Sequence, residues 1–253
     1  GDFRQLGPIV LSASRRSEMW LKKDLFGLIG DKDAAADSDL VSKLTHHRRC
    51  HPDIIDLVND EFYKGKLEPK LDENHSKLRK GYPFHGRSVV YLDQRSNLEF
   101  KVLRTAAQSR VNPTSKKIIV DLIDRIVKHN PKARIGIIAA YRGQVLSYRS
   151  AIERWSKELR HARVLAGTIH SFQGSEMDYI IWDLVDSKHE KVGNLYTGKE
   201  GERLVNVAIS RAIGKLIVVG DVRNLSEGDG RNLVNLSTQR LMKRFDDFRV
   251  FEE

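Results

Sequence analysis

The sequence predicts an α/β fold built on a mainly parallel sheet with helices on both faces. Three observations predict it. The apolar runs RIGIIAA (134–140), DYIIWDLV (178–185) and KLIVVGD (215–221) are continuous, as in strands covered on both sides. Between such runs lie segments with apolar residues at helical spacing. The links are short, so strand and helix alternate in the way that parallel crossovers require.

The elements follow in order. Residues 88–92, SVVYL, read as a strand. Residues 114–129 place Ile118, Ile119, Leu122, Ile123, Ile126 and Val127 on one helical face, and Asn130-Pro131 ends that helix. The strand at 134–140 follows, then a helix from about 143 to 160, and VLAGTI at 164–169 as the next strand. The strand at 178–185, a helix over about 202–212, the strand at 215–221 and a last helix over about 232–245 complete the alternation. Residues 1–110 are less regular. Within them Pro52 can open a helix whose apolar face is Ile54, Ile55, Val58 and Phe62. The acidic stretch 31–39 and the polar stretch 72–88 read as surface excursions. Sheets of this kind bind ligands at the carboxyl ends of their strands, which points to the loops after Ala140, Ile169 and Val185.

With 253 residues, 40% of them hydrophobic, the chain can bury a substantial core. No run approaches the ~18 apolar residues of a membrane span. The net charge of +10 suits a polyanionic partner, with nucleic acid first. A single cysteine, Cys50, forms no internal disulfide and fits an intracellular setting, cytoplasmic or nuclear (or nucleoid). His46, His47 and His51 crowd around it, but spacing this tight suits zinc poorly, and no metal site is assigned.

Five stretches carry candidate chemistry. In GDFRQLGPIV, Gln5 can donate to a phosphate oxygen and accept from a water at once. In RRCHP, Arg48 and Arg49 stand at a helix entrance, placed to meet an outside anion rather than the helix dipole. In IIAAYRGQ, Tyr141 can stack on a base and Arg142 can meet a phosphate. TIHSFQGSEMD gathers Thr168, His170, Ser171, Gln173, Gly174 and Glu176 in one strand-to-strand link. In LVNVAISRA, Arg211 lies close to the buried face of its helix and needs an anion or a carboxylate. Each residue alone also has a plain structural reading: a solvated pair, a core-capping tyrosine, a satisfied core histidine, a paired arginine.

Together and in this order, GDFRQLGP, RRCHP, AAYRGQ, TIHSFQGSEMDYIIW and NVAISRA resemble the second half of superfamily 1 helicases. Within them the likeness is to the branch of the RNA helicase of nonsense-mediated decay and related DNA helicases. It runs from Gly1 to about Gly220. The resemblance implies a RecA-like domain, the fold of P-loop NTPases, here without a P-loop of its own. It implies that Gln5, Arg49 and Arg211 act in ATP hydrolysis and that Arg48, Gly174 and Glu176 lie by the nucleotide. It further implies that Tyr141, Arg142, Thr168, His170 and Ser171 lie along single-stranded DNA or RNA. Arg48 stands where the family often has an aromatic residue, Ala139-Ala140 where it has Thr-Pro, and Ile213-Gly214 where a basic residue often follows.

No G-x-x-x-x-G-K-[ST] occurs in the chain. The resemblance places that loop and the magnesium ligands in a first RecA-like domain of the same protein. Residues 1–40 are then the end of that first domain and a linker, and 41–253 the second domain, inactive alone. The rival readings are a catalytically inert RecA-like module that docks nucleic acid or protein, and a different P-loop enzyme.

Overall fold

The computed structural model describes residues 2, 4–6, 14, 15, 19, 44–154, 162–187, 190–227 and 234–250. The expected boundary near residue 40 and the acidic stretch 31–39 lie outside them.

The fold centres on a six-stranded sheet in which every neighbouring pair is parallel. In chain order its strands are β3 (Val89–Asp93), β6 (Arg134–Ala139), β7 (Arg163–Thr168), β8 (Met177–Asp183), β9 (Ala212–Gly220) and β10 (Arg249–Val250). Their spatial order is β10-β3-β9-β8-β6-β7. Two small pairs lie outside it: β1 (His46–His47) with β2 (Glu68–Pro69), and the antiparallel hairpin β4 (Leu103–Arg104) with β5 (Arg110–Val111).

Both faces of the sheet are covered because its strands alternate apolar residues to each side. Tyr91, Ile180, Trp182, Leu216 and Val218 pack with α1 (Pro52–Tyr63), α5 (Gly198–Ile209) and α7 (Leu236–Arg244). Val90, Leu92, Ile135, Ile137, Ile181 and Ile217 pack with α3 (Pro113–His129) and α4 (Arg142–Arg154). A four-residue helix, α6 (Arg223–Ser226), follows β9.

Local signals explain the helix limits. Pro52 opens α1, capped by His51 Nδ1, which accepts from Asp53 N at 3.1 Å. Asn112 caps α3 by accepting from Thr114 N and Ser115 N, both at 3.1 Å, and Pro113 is its first residue.

One segment departs from the sequence reading. Residues 72–88 are not only a surface excursion, because α2 (Glu73–Lys80) forms there behind a capping box of Asp72 and His75. His75 and Leu78 are buried, one turn apart. Two apolar contacts in eight residues leave too short a period to read, and histidine at the third position hides the box. Gly214 makes the packing possible: a Cβ there would meet Leu78 Cβ at 2.2 Å. The glycine standing where the family often has a basic neighbour thus lets α2 sit directly against β9.

Among the described residues, no helix is long and apolar enough to cross a membrane.

Candidate functional site

The candidate residues divide between two opposite edges of the sheet. Glu176 and Arg211 directly precede β8 and β9, whose first paired residues are Met177 and Ala212. His51, two residues past Arg49, donates its N–H to Ile213 O at 2.7 Å. These groups therefore gather at the amino edge, not at the carboxyl edge where ligands were expected. The reason is local: α5 ends at Ile209, so Arg211 lies beyond the helix in the turn that enters β9.

At this edge Arg211 is 1% exposed. Its Nη2 donates to Gln5 Oε1 and to Ser210 Oγ, both at 3.1 Å, and its Nη1 points to Ser175 O at 3.5 Å. Its Nε is buried without a partner among the described residues. In place of the anion or carboxylate expected beside this arginine, the described residues offer a glutamine amide, a hydroxyl and a carbonyl. Burial, and then the charge of Arg49, push the Arg211 pKa down. The neighbouring Arg49 is partly exposed and pairs with Glu176, Nε to Oε2 at 3.2 Å. Glu176 thus answers Arg49, while Arg211 has no carboxylate in hydrogen-bond reach among the described residues and feels the charge of Asp2 only from farther off. Gly174, at φ +82° with open space where a Cβ would lie, allows close approach by the backbone. Arg48 is exposed. These features suit an anion: the buried guanidinium of Arg211, a buried donor without a partner among the described residues, and an uncrowded glycine.

Residues not singled out from sequence, together with Gln173, hold this edge together. Tyr63 Oη donates to Asp2 Oδ2 at 2.6 Å and accepts from Asn206 Nδ2 at 2.8 Å. Asn206 also donates to Arg4 O at 3.0 Å, and Gln173 Nε2 to Leu6 O at 3.0 Å. The segment carrying Gln5 is thereby tied to α1, to α5 and to the β7–β8 link. His75 holds the Arg49 backbone. Its Nδ1 accepts from Asp72 N at 3.2 Å, so Nε2 carries the proton it gives to Arg49 O at 2.9 Å.

The His and Cys residues near Arg49 have separate tasks. His46 faces Glu68 at 3.3 Å, and His51 caps α1. His47 Nε2 accepts from Cys50 N at 3.1 Å, and burial, followed by the charge of Arg49, holds its pKa at about 4. Cys50 is fully buried with Sγ 3.6 Å from Ser210 O, and burial pushes its thiol up to about 12. Because the thiolate is the reactive form, native Cys50 is expected to resist alkylation at pH 8 and to react only in denaturant. Stoichiometric labelling of the native chain, followed by mass, would contradict this placement.

The carboxyl edge carries the other set. Ala139 and Thr168 are paired, so Tyr141, Arg142, Thr168 and His170 share one end of the sheet. Arg142 is exposed at the start of α4. Thr168 and His170 are half-buried, and Ser171 is exposed, donating to Thr168 O at 2.7 Å. Tyr141 is less free than a stacking platform would be. Its hydroxyl donates to Asp186 Oδ2, and the guanidinium of Arg110 lies 5.3 Å from its ring centroid. Arg110 in turn donates to Asp186 Oδ2 at 2.7 Å and to Lys191 O at 2.8 Å. Burial raises Asp186 to about 6 despite both partners.

Asp186 stands just past a strained turn. Its N–H bonds to Leu184 O at 2.6 Å around Val185, whose φ is +64°. A β-branched residue there costs on the order of 1–3 kcal/mol, and such strain is kept where surrounding contacts over-determine it. They do here: Val185 N donates to Asp183 Oδ1 at 2.9 Å, and Val185 O accepts from Asn112 Nδ2 at 3.0 Å. Asp183, fully buried, also accepts from Gln144, Tyr148 and Ser115 at 2.6, 2.7 and 3.0 Å. Gln144 is thus an internal brace rather than a surface group. Arg110 and Asp186 were not singled out from sequence; the strand end at Val185 was the one signal toward them.

The AAA domain family matches residues 21–223. A putative helicase mov-10-B.1 of Danio rerio is 30% identical across the whole chain, which spans 26% of that protein. Regulator of nonsense transcripts 1 of Dictyostelium discoideum is 26% identical over 90% of the chain, which spans 16% of it. The ATP-dependent helicase NAM7 of Saccharomyces cerevisiae is 25% identical over 89% of the chain, which spans 23% of it. The chain therefore covers about a quarter or less of these relatives, and with its parallel RecA-like sheet it belongs to the superfamily 1 helicases, in the branch of the nonsense-mediated-decay helicase.

Proposed function

We propose that this chain is the second motor domain of an ATP-dependent nucleic-acid helicase. A first RecA-like domain of the same protein supplies the P-loop and the magnesium ligands, and ATP lies in the cleft between the two domains. The observation that carries this reading is Arg211: a buried guanidinium that, among the described residues, has no carboxylate in hydrogen-bond reach and no partner for Nε, with Gln5 on its fork. Such an arginine awaits an anion.

In this reading the amino edge is the hydrolytic face. Arg211 and Arg49 approach the terminal phosphates and stabilise the charge that spreads over the transferring group. Gln5 hydrogen-bonds Arg211 and links it to the segment that enters from the first domain. Gly174 and Glu176 border the nucleotide, with Glu176 keeping Arg49 oriented, and Arg48 lies beside them. His75 positions Arg49 through its carbonyl. Magnesium, when bound, offsets phosphate charge from the first domain's side.

The carboxyl edge is the strand face. Arg142, Thr168, His170 and Ser171 meet phosphates and sugars of a single strand, and Tyr141 serves as a fixed wall. The protein translocates 5′ to 3′ along that strand, the polarity that the family resemblance implies, in an intracellular setting.

The test is ATP hydrolysis by the full-length protein with and without single-stranded DNA and RNA. Stimulation of ten-fold or more by one polymer is expected and names the track. Hydrolysis indifferent to both would leave an ATPase switch, and no hydrolysis would leave the inert binding module.

A further inference from the structure

The β4–β5 hairpin, outside every stretch that suggested function, forms one wall of a groove at the carboxyl edge. The groove has a volume of about 400 Å³ and is lined by Arg104, Gln108, Ser109, Tyr141, Lys191 and Asn194, with Arg110 on its floor. Space of this size suits a small ligand or a single nucleotide.

The groove is held in shape. The hairpin turn is closed by Thr105 N to Ser109 O at 2.9 Å and Gln108 N to Thr105 O at 2.8 Å. Gly143 N at the start of α4 donates to Ser109 Oγ at 2.9 Å, which fastens the hairpin beside Arg142. Opposite, the 191–195 segment is fastened by Arg110 to Lys191 O. The floor is the Tyr141–Asp186–Arg110 cluster behind the strained Val185 turn.

Its charges are unequally spent. Arg104 and Arg110 stand directly opposite one another across the hairpin, an unfavourable like-charge pairing. Asp186 takes the charge of Arg110, with Glu190 nearby adding to it. Arg104 and Lys191 are exposed and have no acidic partner among the described residues. Arg104, whose Nη1 donates to Gln108 O at 3.4 Å, and Lys191 thus flank the groove with no carboxylate on either among the described residues, and the amides of Gln108 and Asn194 offer both donors and acceptors.

We propose that this groove takes one nucleotide of the single strand, its phosphate between Arg104 and Lys191 and its base against the two amides. The proposal rests on the carboxyl edge being the strand face and extends that face to residues 103–111 and 191–195. The hairpin and the loop then form a second rim of the track, beyond Arg142 and His170.

The test is anisotropy binding of labelled oligo(U) and oligo(dT) to the full-length protein across a range of salt. The double variant Arg104→Ala/Lys191→Ala is compared with Lys128→Ala/Lys132→Ala, which removes two exposed charges near the amino edge. Each neutralised phosphate of a single strand contributes about 0.7 to the slope of log K against log salt, so losing the one held between the two cations makes it shallower by about 0.7. That change, with about ten-fold weaker binding and a melting temperature like the wild type's, is the expected result. An unchanged slope, or an equal change in the Lys128/Lys132 variant, would overturn the groove and leave the strand face standing. A wild-type protein that binds neither oligonucleotide would overturn both.

Discussion

Replacing Arg211 with alanine in the full-length protein is expected to slow single-turnover ATP hydrolysis by roughly 10³-fold or more, the scale of an arginine finger. The argument is one of cost. A guanidinium that is 1% exposed and has no carboxylate in hydrogen-bond reach among the described residues carries a desolvation penalty of several kcal/mol, on the order expected for an uncompensated buried ion. Gln5, Ser210 and Ser175 satisfy part of its fork but supply no negative charge. Arg49 beside it makes matters worse. A polyphosphate relieves both arginines at once, and the relief is greatest when charge builds up on the transferring group. Arg211→Lys is expected to recover little, since an ammonium keeps the charge but loses the fork that meets Gln5 and phosphate together. A structural explanation is separable: it would lower the melting temperature and strand affinity along with hydrolysis. Near-normal turnover in Arg211→Ala would remove this residue from the mechanism.

How far the sequence could carry this depended on the period of each signal. The strands at 134–140, 178–185 and 215–221 and the helix from Pro113 were legible because each repeats one pattern over many residues. α2 was not, because only His75 and Leu78 reach the core. Arg49, Glu176 and Arg211 were legible as unusual residues in motif order, yet their shared edge was not. That edge depends on α5 ending at Ile209, two residues before Arg211, and helix ends are set by tertiary contacts. Arg110 and Asp186 lie 76 residues apart and meet only through the β4–β5 hairpin and the turn at Val185. No local pattern reports such a pair. Tyr141 shows the reverse case, an aromatic residue that suggested stacking and proves largely committed to Asp186 and Arg110.

Lys215→Met is expected to lower the unfolding free energy by about 3–5 kcal/mol, a large share of the ~5–15 kcal/mol that holds a domain together. Lys215 lies in the middle of the sheet on β9 and is fully buried. Its Nζ donates to four backbone carbonyls, Arg79, Pro83, Phe84 and Arg87, at 3.1, 2.6, 3.0 and 3.1 Å. Three N–H bonds serve four acceptors, so one ammonium organises the whole turn that follows α2. Methionine fills nearly the same volume but takes the donor from Pro83 O and Arg87 O, at about 1–3 kcal/mol for each that water cannot reach, while Arg79 O and Phe84 O keep the N–H of Gly86 and of Arg87. The penalty has a functional reach. The turn fixes α2, α2 presents His75, and His75 holds the carbonyl of Arg49. Urea unfolding gives the stability, and hydrolysis by the full-length variant, measured well below its melting temperature, gives the reach. A loss under about 1 kcal/mol would mean that the carbonyls find water and that the turn is not held by this lysine. A large loss of stability with unchanged hydrolysis would instead break the link from α2 to Arg49 and leave His75 a capping residue alone.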